Sequence, residues 1–189
     1  MRQPIKGGGK VKRRNPRRRN SVKKHQEYGT SKLEQDFARE FLDRNHIDYI
    51  YQYKAESIGR YYDFMVVLPY NGQMLVKEEK DGLMSVVQNG QVYRIVFAIE
   101  VDGSWFHGDS RIVEEDKMNR MQRRNRVVDE VKDKWCHLNC IPIVRFWELD
   151  IKNNPNMVKK VVMEYVGKGE KDIKKKENFS KPHGTVVRK

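Results

Sequence analysis

Two carboxylates stand inside apolar, strand-like runs of this sequence. Asp63 lies in YYDFMVV and Glu100 lies in FAIEVDG, with Asp102 two residues further on. A carboxylate in such a run is costly to bury unless it is paired or binds a metal. Residues i and i+2 of a strand leave the same face, so Glu100 and Asp102 would repel each other unless a divalent cation joined them. The alternative is that Asp63 and Asp102 are strand-end turn residues and that Glu100 pairs with an arginine.

Two further residues could take part in the same chemistry. His107 follows Asp102 by five residues, across a glycine-containing loop, and could position a water, act as a general acid or contact a phosphate. A lone surface histidine is the commoner explanation of such a residue. Glu34 could support a metal site from an early helix, but it follows Ser31 at capping-box spacing, which is a sufficient structural reason for it.

A basic segment follows these candidates along the chain. Residues 117–126 (KMNRMQRRNR) contain five basic side chains and no acidic one. They could hold a phosphate backbone, or they could form an ordinary solvated helix face, although such faces usually mix charges. The five are Lys117, Arg120, Arg123, Arg124 and Arg126.

The net charge of +13 comes from the two ends of the chain. Residues 1–25 carry eleven Lys and Arg and no acid, residues 167–189 carry a net charge of +5, and the remainder is close to neutral. Basic arms bind polyanions by counterion release, without reading sequence. The run Arg17, Arg18 and Arg19 therefore predicts a nucleic-acid partner, and such an arm binds RNA as readily as DNA. A solvated tail or a ribosome-style anchor is the alternative.

Other classes of protein are not favoured. An apolar run of membrane-spanning length is missing from the sequence, and the basic N-terminus lacks the apolar segment of a secretory signal. We therefore expect a cytoplasmic protein, nucleoid-associated or in the host cytoplasm if virus-encoded, with no membrane partner and no small-molecule cofactor. The group Cys136, His137 and Cys140 is better explained by packing than by zinc, because the chain has only two cysteines.

Hydrophobic patterning places these residues in a mixed fold. We expect a helix over 31–45, strands over 47–54, 61–68, 92–101 and 141–146, a mostly helical stretch over 112–139, and a last helix after Pro155. Asn-Gly and Asp-Gly pairs within 69–92 predict inserted β-hairpins. The predicted fold is α/β (α+β): a mixed β-sheet flanked by helices over 29–166, with disordered basic tails at 1–28 and 167–189.

The series resembles the PD-(D/E)xK endonuclease superfamily, whose core motif is an Asp followed, after a gap, by an acid-x-Lys. It is most similar to the branch of very-short-patch repair endonucleases and their bacterial relatives. The matching pieces cover about 31–166 in order. They are Glu34, Asp63-Phe64, Glu100-Val101-Asp102-Gly103, His107, Asp129 with Lys132 and Asp133, Val144-Arg145-Phe146-Trp147, and Asn153 or Asn154.

The resemblance implies a restriction-endonuclease-like fold and metal-dependent hydrolysis of phosphodiester bonds. It implies that Asp63, Glu100 and the Val101 carbonyl hold Mg²⁺ or Mn²⁺, that Asp102 or His107 positions the attacking water, and that Arg145 or the 117–126 segment neutralises the substrate backbone. The superfamily lysine is replaced by Asp102, and the stretches 69–92 and 108–128 are longer than usual. A non-catalytic binding module, a ribonuclease and a virion- or ribosome-associated structural protein are the alternatives.

Overall fold

The computed structural model describes residues 31–70, 85–88 and 91–179. The basic arm with Arg17, Arg18 and Arg19, most of the predicted insertion and residues 180–189 lie outside this part of the chain. The strands are β1 (Tyr49–Ala55), β2 (Arg60–Pro69), β3 (Ser85–Gln88), β4 (Gln91–Asp102) and β5 (Ile143–Trp147). The helices are α1 (Lys32–Phe37), which continues as a π turn (Ala38–Leu42) and a 3₁₀ turn (Asp43–Asn45), then α2 (Arg120–Leu138), α3 (Glu148–Asn153) and α4 (Pro155–Phe179).

The five strands form one mixed sheet, with β4 at its centre. Its order is β1-β2-β4, and β3 and β5 both pair with the free side of β4. The pairs β1–β2, β2–β4 and β3–β4 are antiparallel. The β4–β5 pair is parallel, which requires a crossover, and α2 is the helix between the two strands. The prediction of a mixed sheet flanked by helices is confirmed.

Helices cover both faces of the sheet. One apolar cluster joins α1, its π turn and α4 to the sheet. It contains Phe37, Phe41 and Val158 from these helices and Phe64 and Val101 from the strands. Trp135 and Cys136 of α2 belong to a second cluster with Tyr62, Ala98 and Ile141. We call the two sides the α1/α4 face and the α2 face. Alternation along β4 puts Val101 on the α1/α4 face and leaves Glu100 and Asp102 to the α2 face.

Of the two longest predicted helical segments, one starts where it was predicted to start and the other does not. The helix at 31–45 starts as predicted, because the Ser31 hydroxyl accepts the Glu34 N–H and the Glu34 carboxylate accepts the Ser31 N–H. The helix predicted over 112–139 begins only at Arg120. A second capping box, between Asn119 and Gln122, fixes that start. The prediction is therefore wrong for 112–119, where a 3₁₀ turn covers Glu115–Lys117.

The C-terminal boundary also needs correction. The sequence placed a disordered basic tail from residue 167, but α4 continues to Phe179. Val158, Val162, Val166 and Ile173 form one buried stripe along this helix, so the apolar face extends beyond 166. A Cβ on Gly169 would lie only 2.6 Å from a methyl group of Val96, so glycine lets the helix approach β4 closely there. The short helix α3 was not predicted.

Within the described ranges, none of the helices has the length and apolar character needed to cross a bilayer.

Candidate active site at the end of the central strand

The carboxylate of Asp63 reaches across from β2 to the backbone of β4. Its Oδ2 accepts a hydrogen bond from the Val101 N–H at 2.8 Å. The N–H and C=O of one strand residue point toward the same neighbouring strand. The Val101 carbonyl therefore also faces the β2 side, where Asp63 lies. This brings together two of the three groups that were predicted to hold a metal.

Glu100 provides the third group and is almost fully buried. Its side chain is 2% exposed, and its Oε2 lies 2.6 Å from Nζ of Lys132 on α2. Arg145 is more distant, at 4.0 Å. The other oxygen, Oε1, is buried and has no hydrogen-bond partner among the described residues. A buried acceptor without a donor costs free energy, so a native site that keeps one calls for an explanation such as a bound ion.

Both carboxyl groups bind protons unusually tightly. Burial raises the pKa of Asp63 to about 7, and the nearby charge of Glu34 adds to this, while the Val101 hydrogen bond opposes it. Burial and the charge of Asp63 raise the pKa of Glu100 to about 8, against the opposing charge of Lys132. The two acids therefore repel each other, and a cation that favours their charged forms would relieve the repulsion.

Asp102 lies in a separate, largely paired group on the α2 face. Arg145 donates to Asp102 at 3.1 Å, to Asp129 at 3.3 Å and to Asp133 at 2.8 Å. His107 Nδ1 lies 2.8 Å from Asp129 and 3.6 Å from Asp102. Burial raises the pKa of Asp102, although Arg145 opposes this. Burial alone would lower the pKa of His107, but Asp129 and Asp102 raise it above its ordinary value.

Two positions for a cation can be compared in this arrangement. Ligand atoms of Asp102, His107 and Asp129 lie within 4.8 Å of one another, but the Arg145 guanidinium already contacts both aspartates. Among the described residues, the counter-charges nearest to Glu100 are Lys132 at 2.6 Å and Arg145 at 4.0 Å, and Glu100 retains the unpartnered oxygen. Carboxylate and carbonyl oxygens suit a hard cation such as Mg²⁺ or Mn²⁺. The second position therefore fits a divalent metal better than the first.

Glu34 is held by its own surroundings. Besides the capping box, its Oε2 accepts hydrogen bonds from the Tyr51 hydroxyl at 2.9 Å and from the Gln52 amide at 2.8 Å. Both oxygens are thus occupied, which favours a structural role in the first helix. Glu34 still lies near enough to Asp63 to raise the pKa of that acid. It acts on the candidate site through charge rather than as an open ligand.

The predicted basic segment divides into bracing and exposed residues. Arg123 donates to the Met118 carbonyl at 3.1 Å, and Arg126 donates to the Gly108 carbonyl at 3.2 Å, so both brace the loop before α2. Lys117 pairs with Glu114 at 2.6 Å on the surface. Arg120 and Arg124 are exposed. These last two are the members of the segment best placed to contact a phosphate backbone.

Several residues of the site were not among the predicted site residues. Lys132 and Asp129 were matched only by spacing, yet they contact Glu100 and His107 directly. Their signal in the sequence is a charged stripe at helical spacing on the side of α2 that carries Cys136. Trp105 and Phe106 are 52% and 56% exposed in the loop between Asp102 and His107, with their rings edge-to-face.

Phe106 also borders an open cavity of about 530 Å³. Glu34, Val101 and His107 line the same cavity, so it adjoins one of the three candidate metal ligands, Val101. Cys136 and Cys140 are free cysteines, the first buried and the second exposed.

Comparisons with protein-family models, with curated proteins and with solved structures give no significant match for this chain. Function is therefore inferred from the site itself.

Proposed function

We propose that this protein is a metal-dependent endonuclease that hydrolyses phosphodiester bonds, with DNA as its substrate. We also propose that its mixed sheet is of the restriction-endonuclease-like type, as the resemblance to very-short-patch repair endonucleases implies. The observation that carries the proposal is the buried Glu100 Oε1, which has no hydrogen-bond partner among the described residues and belongs to a carboxylate whose pKa is raised by burial and by the charge of Asp63. Two acids with raised pKa values in one site are typical of functional sites rather than of ordinary cores.

Each residue of the site has a place in this reaction. Asp63, Glu100 and the Val101 carbonyl would hold Mg²⁺ or Mn²⁺, and a bound metal polarises the scissile phosphate and acidifies an attacking water. Lys132 keeps Glu100 in position from α2 at 2.6 Å. His107, oriented by Asp129 at 2.8 Å, can accept the proton of the water or donate one to the leaving oxygen.

The surface around the site suits a polynucleotide. Trp105 and Phe106 expose aromatic rings next to His107, and unstacked bases pack on such rings. Arg120 and Arg124 at the start of α2 can contact phosphates, which positions a strand without reading its sequence. The basic residues of the arm at 1–25 would add affinity that depends on salt.

A second function is supported by one observation. Lys132 and Arg145 already neutralise much of the carboxylate charge in the site. A chain that only binds nucleic acid would keep such ion pairs for stability and would need no metal. This alternative predicts binding without cleavage.

The test is cleavage of plasmid, single-stranded DNA, branched DNA and RNA, each with Mg²⁺, Mn²⁺ or EDTA. We expect cutting with either metal and none in EDTA. Asp63→Asn and Glu100→Gln should abolish cutting and leave nucleic-acid binding intact, because both changes keep shape and remove an anionic ligand. Asp48→Asn, an exposed acid at the start of β1, is the matched control and should cut normally.

The outcomes separate the alternatives. An Asp63→Asn protein that cuts at the wild-type rate would refute the assignment of the site. A wild-type protein that binds all four substrates and cuts none would support the binding module. Cutting confined to RNA would change the substrate class and leave the site in place.

A further inference from the structure

The pairing of β1 with β2 is interrupted opposite Asp63. The register runs from Tyr49–Val66 to Tyr51–Phe64 and resumes at Tyr53–Tyr62, and a Gln52–Asp63 pair is missing from this otherwise regular ladder. Gln52 has a left-handed backbone, with φ of +50°. Such a φ is uncommon for a residue with a side chain, and inside a strand it marks a local irregularity.

Both strands change faces at this point. In β1, Tyr49 and Tyr51 pack on the α1/α4 face, whereas Tyr53 packs on the α2 face. In β2, Phe64 packs on the α1/α4 face, whereas Tyr62, two residues earlier, packs on the α2 face. Residues two apart in a regular strand share a face. The alternation is therefore reversed between Tyr51 and Tyr53 in β1, and between Tyr62 and Phe64 in β2.

Asp63 is the residue at which β2 changes faces. If alternation continued, its side chain would stand on the face opposite to Phe64, roughly perpendicular to the sheet. Instead its carboxylate reaches the neighbouring strand and accepts the Val101 N–H. The antiparallel pairing of β2 with β4 begins at Phe64–Ile99 and continues toward Pro69. Extending that register in the opposite direction would place Tyr62 opposite Val101. The Asp63 side chain therefore takes the place of a backbone acceptor.

We propose that Gln52 is a positioning residue for the candidate site: its left-handed backbone reverses the faces of β1 and β2 and thereby directs the Asp63 carboxylate to the Val101 N–H beside Glu100. The Gln52 amide, 2.8 Å from Glu34, attaches this irregularity to the first helix. The structural part of the proposal stands by itself. Its consequence for metal binding and cleavage rests on the proposed function.

The backbone and the side chain of Gln52 can be separated by substitution. Gln52→Gly removes the amide but favours a left-handed φ, so it should preserve the irregularity. Gln52→Val removes the amide and strongly disfavours a left-handed φ, so it should restore regular pairing and withdraw Asp63. The matched control is His46→Val, which places the same strain on an exposed residue with φ of +53° at the end of the first helix.

The direct readout is hydrogen exchange of the Val101 amide, resolved by NMR in the intact chain. Gln52→Val should speed exchange at Val101 and weaken Mn²⁺ binding, measured by calorimetry, each by about tenfold, since a hydrogen bond to a charged group is lost. Gln52→Gly should keep both within about twofold of the wild type. His46→Val should lower the melting temperature without changing either quantity.

Two results would overturn the proposal. One is unchanged Val101 protection in a folded Gln52→Val protein. The other is an equal loss of protection in the Gly and Val variants, which would assign the effect to the amide side chain. If the Val variant does not fold, Gln52→Thr, also β-branched, should show a smaller loss in the same direction, and full protection there would count as refutation.

The two proposals fail differently in this experiment. A wild-type chain that neither binds Mn²⁺ nor cuts DNA would refute the proposed function. Exchange at Val101 would still show whether Gln52 directs Asp63, since that hydrogen bond needs no metal.

Discussion

Replacing Glu100 with glutamine should stabilise the metal-free protein at high pH and not at low pH. An acid whose pKa is raised by folding holds its proton longer in the native state than in the unfolded state. Native stability then falls as pH rises from the ordinary pKa of 4.5 toward the folded pKa of about 8. Glutamine does not titrate, so the variant avoids this loss.

The magnitude follows from the two pKa values. Between about pH 5 and about pH 8.5, the wild type should lose on the order of 4 kcal/mol relative to Glu100→Gln, at 1.36 kcal/mol for each pKa difference of one. In the variant an amide oxygen replaces the carboxylate oxygen that accepts from Lys132 at 2.6 Å, and a neutral acceptor binds an ammonium group more weakly than a charged one. The folded pKa of about 8 already includes the attraction of Lys132, so that attraction adds nothing further to the pH dependence. The variant should therefore be equal or weaker near pH 5 and stronger near pH 8.5.

The assay is urea denaturation in EDTA at the two pH values, followed by tryptophan fluorescence, which reports on the core through Trp135. Glu164→Gln is the matched control, because Glu164 is an exposed acid on α4 that pairs with Lys168. The difference in the free energy of unfolding between Glu164→Gln and the wild type should be the same at both pH values. A Glu100→Gln difference that is also independent of pH would show that Glu100 is ionised throughout, and the reasoning about its burial would be wrong.

Three further predictions concern the contacts around the site and the basic arm. Arg123→Ala should lower the free energy of unfolding by about 1–2 kcal/mol, since its hydrogen bonds brace the loop before α2. Arg124→Ala should instead weaken DNA binding at an unchanged melting temperature. Melting curves and fluorescence anisotropy check both variants, and equal losses of melting temperature would contradict the distinction between bracing and exposed arginines. Asp129→Asn should lower the pKa of His107, seen in an NMR titration of the ring; an unchanged titration would remove Asp129 as its partner. Deleting 1–25 should weaken nucleic-acid binding and flatten its salt dependence while cleavage at low salt survives, and equal binding across a salt titration would refute this.

The sheet could be predicted from the sequence because its strands carry strong local signals. Continuous apolar runs gave 61–68 and 92–101, which the structure extends by only one or two residues to β2 and β4. The predicted helical stretch 112–139 began too early, because charged residues occur at helical spacing both before and after the helix cap. The Asn119–Gln122 capping box is visible in the sequence and would have placed the start of α2 correctly.

The acidic part of the site was predictable from the residues themselves, and the contact between Lys132 and Glu100 was not. Asp63 and Glu100 stand out because a carboxylate conflicts with an apolar strand. Lys132 lies on a helix where lysine is ordinary, and only the packing of α2 on the sheet brings it to Glu100. The left-handed backbone of Gln52 has no local signal at all, since glutamine is not a residue that favours it.

Arg145 shows how tertiary contacts change the meaning of a predicted residue. The resemblance assigned it to the substrate backbone, but every nitrogen of its guanidinium already donates to Asp102, Asp129 or Asp133. A phosphate could gain this arginine only by displacing a carboxylate, at the cost of leaving that acid without its partner. Arg145 is therefore better suited to hold Asp102, Asp129 and Asp133 together than to contact a substrate phosphate. Glu100, by contrast, keeps a buried Oε1 with no hydrogen-bond partner among the described residues, and a divalent cation would find its free ligand there.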